Sequence, residues 1–204
     1  MSPQNQERVN KDLAIVYMVA GMSSRFGGKI KQFARVGPSG ETLIEYSINQ
    51  AKNAGFNQVV FIVGEKTEQP FHEMFGASYN GMKILYAKQT FSLDSRDKPW
   101  GTVDALCSAA QVINCPFVVC NGDDIYGTKT FKILADHLKN PTEKGINASA
   151  GYLLGEVIPE KGKTNRGIFK VENGYVKELN EAFDIEKSKL TEMNLTEKNL
   201  TSMN

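Results

Sequence analysis

The sequence predicts an α/β fold, a Rossmann-like and mainly parallel sheet with helices on both faces and a β-hairpin near the C-terminus, from three observations. Short apolar, β-branched runs recur along the chain, at Leu13-Ala-Ile-Val-Tyr-Met-Val19, Val59-Val-Phe-Ile-Val63 and Pro116-Phe-Val-Val-Cys120. Such runs mark strands covered on both sides, as parallel strands are. Segments with helical apolar spacing lie between them, and this alternation argues for right-handed crossovers onto one sheet. The third observation is Gly167-Ile-Phe-Lys-Val171 and Tyr175-Val-Lys-Glu178, which flank Glu172-Asn173-Gly174, a hairpin turn.

Each element follows in order. After the first strand comes a small-residue loop, and Gly37-Pro-Ser-Gly-Glu41 is turn chemistry. Thr42 can cap a helix through Leu43, Ile44, Ile48 and Ala51 that ends at Gly55. The strand at Val59 is followed by a short helix about Phe71 to Phe75 and a strand Lys83 to Ala87. Pro99-Trp-Gly-Thr102 opens a helix in which Val103, Leu106, Ala110 and Ile113 keep helical spacing. The strand ending at Cys120 leads through Asn121-Gly-Asp-Asp124 to a helix with Phe131, Leu134 and Leu138 on one face, and Ala148 to Leu154 reads as a further strand. Residues 1–204 read as a single domain, with a polar arm at 1–11 and a weakly structured tail at 184–204.

Composition excludes several function classes. A net charge of +1 gives no field for nonspecific attraction to nucleic acid or an anionic membrane, so neither is an expected partner. The sequence shows no long apolar run and no secretory or transit leader, which makes the cytoplasm the expected location. Cys107, Cys115 and Cys120 form no CxxC pair and suit reduced thiols better than a disulfide framework or a zinc site. His72 and His137 lack a partner at metal-ligand spacing.

The chemistry concentrates in Val19-Ala-Gly-Met-Ser-Ser-Arg-Phe-Gly-Gly-Lys-Ile-Lys-Gln32. The loop leaves the carboxyl end of a buried strand, where open α/β sheets hold ligands. Its glycines allow backbone N–H groups to approach an anion, and Arg25, Lys29 and Lys31 add positive charge, a combination that suits phosphates. The glycine spacing is neither that of a dinucleotide fingerprint nor that of a P-loop, so hydride transfer and P-loop ATPase chemistry are disfavoured. Asp123 and Asp124 also follow a buried strand directly, so at least one carboxylate is expected in the same crevice. Hard oxygen ligands beside phosphates suit Mg²⁺; the competing reading is a solvated turn or a helix cap.

The segment Ala20-Gly-Met-Ser-Ser-Arg-Phe-Gly-Gly with Lys31-Gln32 resembles the signature loop of the nucleotidyltransferases that activate sugar 1-phosphates. Gln89 and Pro99-Trp-Gly-Thr102 resemble that family's base-recognition segments, Asn121-Gly-Asp123 its metal motif, and Arg166-Gly-Ile168 and Glu178-Leu-Asn-Glu181 its sugar-side segments. The likeness runs from Leu13 to Glu181. It implies the nucleotide-diphospho-sugar transferase fold and a Mg²⁺-dependent reaction between a nucleoside triphosphate and a sugar 1-phosphate, giving an NDP-sugar and pyrophosphate. By the same resemblance Arg25 and Lys31 are catalytic, while Ala20, Gly21, Met22, Ser23 and Ser24 hold the nucleotide. Gln89, Pro99, Trp100, Gly101 and Thr102 receive the base, Asp123 and Asp124 the metal, and Gly167 and Glu181 the sugar.

Three departures accompany the likeness. Position 182 is alanine where many members place a lysine for the sugar phosphate, and Asp104 stands where a neutral or aromatic residue is usual in the base-site helix. Members continue further and supply a second metal-binding aspartate, whereas this sequence stops at Thr201-Ser-Met-Asn204, which resembles the start of that segment, as a fragment would. The alternatives are a cytidylyl- or uridylyltransferase acting on another phosphorylated small molecule such as phosphocholine, and an inactive nucleotide-binding module.

Overall fold

The computed structural model describes residues 12–21, 30–90, 101–141 and 145–203. The expected site residues Met22, Ser23, Ser24, Arg25, Pro99 and Trp100, with Lys29 and the arm at 1–11, lie outside them. The chain divides into two compact units, Met1–Lys144 and Gly145–Asn204.

The first unit is built on a five-stranded sheet. Its strands are β1 (Ala14–Met18), β2 (Gln58–Val63), β3 (Ser78–Tyr79), β4 (Met82–Lys88) and β5 (Phe117–Asn121). Their order is β3-β4-β2-β1-β5, parallel throughout except for the edge strand β3. The chain steps from β1 to β2 and β4 on one side and returns to β5 on the other. The carboxyl end of β1 is therefore the switch point of the sheet, where its loops diverge and leave a crevice.

Alternation along each strand explains the two-sided core. Ile15 and Tyr17 of β1, with Val59, Phe61 and Val63 of β2, face one layer. That layer comprises α1 (Leu43–Asn53), α2 (Glu68–Phe75) and α4 (Thr128–Lys139), through Ile44, Ile48, Phe71, Phe75, Phe131 and Ala135. Ala14, Val16, Val60 and Ile62 face the other side, where α3 (Thr102–Ser108) packs Ala105, followed by Ala109. The Tyr17 hydroxyl is fully buried and meets Ser47 Oγ at 2.9 Å, so the one polar atom that β1 sends into this layer is satisfied.

Helix α1 starts where expected, with a reciprocal cap. Thr42 Oγ1 accepts from the Glu45 N–H, and the Glu45 carboxylate accepts from the Thr42 N–H at 2.8 Å. Gly55, at φ 101°, follows its C-terminus.

Several expectations need correction. Helix α2 begins at Glu68, earlier than expected, because Pro70 is tolerated in a first turn. Helix α3 ends at Ser108, and Val103 is 77 % exposed, so the packed face consists of the buried Ala105 and Ala109 with the expected Leu106 and Ile113 partly buried beside them. Strand β3 was not anticipated; it folds back on β4 through Asn80-Gly81, both at positive φ.

The second unit holds an antiparallel sheet of order β6-β9-β7-β8, comprising β6 (Tyr152–Leu153), β7 (Thr164–Glu172), β8 (Tyr175–Ile185) and β9 (Leu200–Thr201). The expected hairpin is present and longer than the sequence suggested. Its turn is Asn173-Gly174, at φ 51° and 81°, which only such residues adopt readily. The strand expected at Ala148 to Leu154 shrinks to Tyr152–Leu153, because Leu154 opens the short helix α5 (Leu154–Val157). Leu154, Ile158, Ile168, Ile185 and Leu190 form the core of this unit. Beyond Ile185 the chain makes a single 3-10 turn at Lys187–Lys189 before β9, which inserts between β6 and β7 with Thr201 fully buried.

Candidate active site at the sheet switch point

Register brings the site together. Ile62, Met18 and Asn121 are aligned across β2, β1 and β5, and all three line a cavity of about 220 Å³. The backbone there is tied strand to strand, Val19 N–H donating to the Ile62 carbonyl at 3.0 Å and Gly122 N–H to the Met18 carbonyl at 3.1 Å. A larger residue at 122 would have to displace its neighbour, since a Cβ would come 2.3 Å from Val19 Cγ1. A Cβ on Gly64 would likewise come 2.8 Å from the Ala20 carbonyl oxygen, so the exits of β1 and β2 touch main chain to main chain.

Five residues expected from sequence to hold the nucleotide line this cavity: Ala20 and Gly21 after β1, Gln89 after β4, and Gly101 and Thr102 at the start of α3. The Gln89 backbone remains in the ladder, donating to the Val63 carbonyl at 2.9 Å, so its side chain leaves from a rigid strand end. Gly101 sits at φ 112°, a conformation that reserves the position for glycine, and a Cβ there would meet no described protein atom within 4 Å.

The acidic and basic elements also meet. Lys31 stands in the 3-10 turn Lys31–Phe33, anchored by the buried Gln32, and its Nζ donates to Asp123 Oδ2 at 2.9 Å. The two residues are 92 positions apart in sequence, and the side chains keep 35 % and 39 % of their surface exposed. A solvent-facing pair of this kind can exchange its internal contact for a ligand's phosphate and cation. Asp124 is held differently, its Oδ2 accepting from Asn121 Nδ2 at 3.1 Å, and the Asn121 N–H is taken by the Tyr126 hydroxyl at 3.0 Å.

No group of three or more His, Cys, Asp or Glu able to hold a metal occurs among the described residues. The turn thus offers at most the two carboxylates of Asp123 and Asp124. That donor set fits Mg²⁺, which takes one or two carboxylates and completes its shell with substrate phosphates and water. Cys120 lies beneath the turn, and burial pushes its thiol well above the ordinary range, so it is an inert core group.

Gly167 and Glu181 lie in the second unit, directly opposite one another across β7 and β8. Glu181 is exposed, whereas the Gly167 carbonyl accepts from Thr201 Oγ1 and from the Ser202 N–H, both at 2.9 Å.

Two polar residues take places here that sequence reasoning did not give them. Asn121 lines the cavity, and its position at the end of β5, in register with Met18, is the signal that could have found it. Asp104 accepts a hydrogen bond from Gln89 Nε2 at 3.1 Å. Among the described residues no helix is long and apolar enough to cross a membrane.

Rv0371c of Mycobacterium tuberculosis H37Rv is 18 % identical with a TM-score of 0.46, over 62 % of this chain and 60 % of that one. A UDP-glucose pyrophosphorylase solved with UDP-glucose is 16 % identical with a TM-score of 0.58, over 94 % of this chain and 74 % of that one, and it shares the fold. The chain thus spans about 60 % of the length of Rv0371c. No curated protein matches it in sequence. The family model described as nucleotidyl transferase matches residues 29–190, and with that extent of match the chain belongs to the nucleotidyl transferase family.

Proposed function

We propose that this nucleotidyltransferase joins a nucleoside triphosphate to a sugar 1-phosphate. A phosphate oxygen of the sugar phosphate attacks the α-phosphorus, the bond from that phosphorus to the β-bridging oxygen breaks, and an NDP-sugar and pyrophosphate result. The observation that carries the reading is the meeting of Lys31 with Asp123, two residues after Asn121, which lines one cavity together with Gly21, Gln89 and Gly101.

Positioning and charge neutralisation dominate phosphoryl-type transfer, and the roles follow from that. Lys31 spans the reacting phosphates, and Arg25 holds the departing pyrophosphate. Ala20, Gly21, Met22, Ser23 and Ser24 supply donors to the triphosphate. Gln89 and Gly101 take the edge of the base, with Pro99, Trp100 and Thr102 around it. Asp123 and Asp124 hold Mg²⁺, which when bound neutralises charge on the triphosphate. Glu181, whose carboxylate can accept two hydroxyl hydrogen bonds, holds the sugar together with Gly167.

A second reading rests on Ala182, which packs against the apolar cluster of the second sheet where the resemblance expects a lysine. It leaves room for a cytidylyl or uridylyl transfer to a non-sugar phosphate. One experiment tests both: pyrophosphate release with each nucleoside triphosphate and Mg²⁺, against a panel of sugar 1-phosphates plus phosphocholine. Release with a sugar 1-phosphate supports the first reading, and release with phosphocholine alone supports the second. A folded sample silent across the panel refutes the enzyme, and nucleotide binding without release then identifies an inactive module.

A further inference from the structure

From the contact between Gln89 and Asp104 we infer that Asp104 is a positioning residue for base selection, one that locks the Gln89 amide in a single orientation. The inference rests on the reading of the cavity as a nucleotide site. Gln89 lines that cavity from the end of β4, Thr102 and Ala105 line it from α3, and Asp104 lies between them on the same short helix. Gln89 Nε2 donates to Asp104 Oδ2 at 3.1 Å, and both side chains are half-buried.

A glutamine alone is an ambiguous reader. Its terminal torsion is broad and roughly two-fold, so a half-turn exchanges donor for acceptor at little cost. A carboxylate removes the ambiguity because it accepts and cannot donate. Turning the amide over would set its carbonyl oxygen against the carboxylate, giving up a charge-assisted hydrogen bond for a repulsive contact. One Nε2 hydrogen goes to Asp104, so the amide presents its carbonyl Oε1 and its second Nε2 hydrogen in fixed places, and the ligand edge that suits them pairs an N–H donor with an acceptor in that one order. The backbone bond from Gln89 N–H to the Val63 carbonyl fixes where the side chain starts, and the contact with Asp104 sets which way its amide faces. A residue of unusual charge in a base-site helix then has a reason to be there.

Calorimetry on the full chain tests this, with ATP, CTP, GTP, UTP and dTTP as ligands and inorganic tripolyphosphate as the base-free probe. Wild type is expected to favour one nucleotide, and Gln89→Ala to level the series. Asp104→Ala should weaken the favoured nucleotide by about tenfold, the worth of one well-made hydrogen bond, and narrow the spread while tripolyphosphate affinity stays unchanged. Asp104→Asn, which can still accept from Nε2 but can also turn over, should fall between the two. In the reversed pair, Gln89→Glu with Asp104→Asn restores a hydrogen bond and should recover nucleotide binding relative to Gln89→Glu alone, where two carboxylates face each other. An unchanged spread in Asp104→Ala, or equal weakening of nucleotide and tripolyphosphate, overturns the inference while the nucleotide site stands. Wild type that binds no nucleotide overturns the site and the inference together.

Discussion

Replacing Lys31 with methionine separates a catalytic cation from a structural one, because the substitution keeps the stem and deletes only the ammonium. The contact it removes is 2.9 Å long, yet its side chains are 35 % and 39 % exposed. A pair this wet is screened, and its coupling in a double-mutant cycle with Asp123→Asn should be about 1 kcal/mol or less. A fully buried pair would behave otherwise, losing about 3–5 kcal/mol when one partner is removed. Turnover follows different arithmetic, since loss of a well-placed electrostatic group in a transfer site costs on the order of 10²–10³ in rate. Lys31→Met is therefore expected to unfold in urea within about 1 kcal/mol of wild type while pyrophosphate release falls by at least about a hundredfold. Destabilisation of about 3 kcal/mol would make Lys31 a strut. Release within about threefold of wild type in a normally stable variant would remove it from the chemistry.

Three further outcomes follow. Gly122→Ala places a methyl 2.3 Å from Val19 Cγ1, and Val19 is itself fully buried, so urea denaturation should show a loss of about 1–3 kcal/mol. Burial acts to raise the Glu45 carboxyl, but hydrogen bonds from the Thr42 backbone and hydroxyl and from the Tyr79 hydroxyl outweigh it and hold the group below its ordinary 4.5. A carboxyl lowered by folding contributes above its unfolded value and loses that contribution as pH falls through its folded one. Thermal melts from about pH 6 down to about pH 3 should therefore show a smaller acid loss in Glu45→Gln than in wild type, and an equal loss would contradict the capping assignment. Chelation of divalent cations should abolish pyrophosphate release and Mg²⁺ should restore it, with Asp123→Asn requiring more Mg²⁺ for half-maximal rate; release that survives chelation contradicts the metal role.

Those parts of the fold whose signal is local were legible in the sequence. Strand β1 could be read because a central parallel strand must be apolar on both faces, and the Asn173-Gly174 turn because few residues accept its backbone. The α1 cap was visible in Thr42 for the same kind of reason. Strand β9 was not, because two residues carry no periodicity, and its place between β6 and β7 is decided by partners tens of positions away. The face of α3 was legible only in part: Leu106 and Ile113 pack beside Ala105 and Ala109, while Val103 points to water. At the site, Lys31 and Asp123 could be expected to converge, since loops leaving neighbouring strand ends share one crevice. The bond between Gln89 and Asp104 could not, because it depends on how the exit of β4 meets one turn of a helix 15 residues later.

The rung formed by Ile62, Met18 and Asn121 draws the floor of the cavity from three segments that are distant along the chain. Such a floor has no partly folded version: fraying one segment abolishes it, and none of the three can open alone while a ligand is seated. In hydrogen–deuterium exchange, a bound nucleotide should slow the amides of β1, β2 and β5 in concert. At a hundred times its Kd the shared gain would be about 2.7 kcal/mol, with surface helices far less affected.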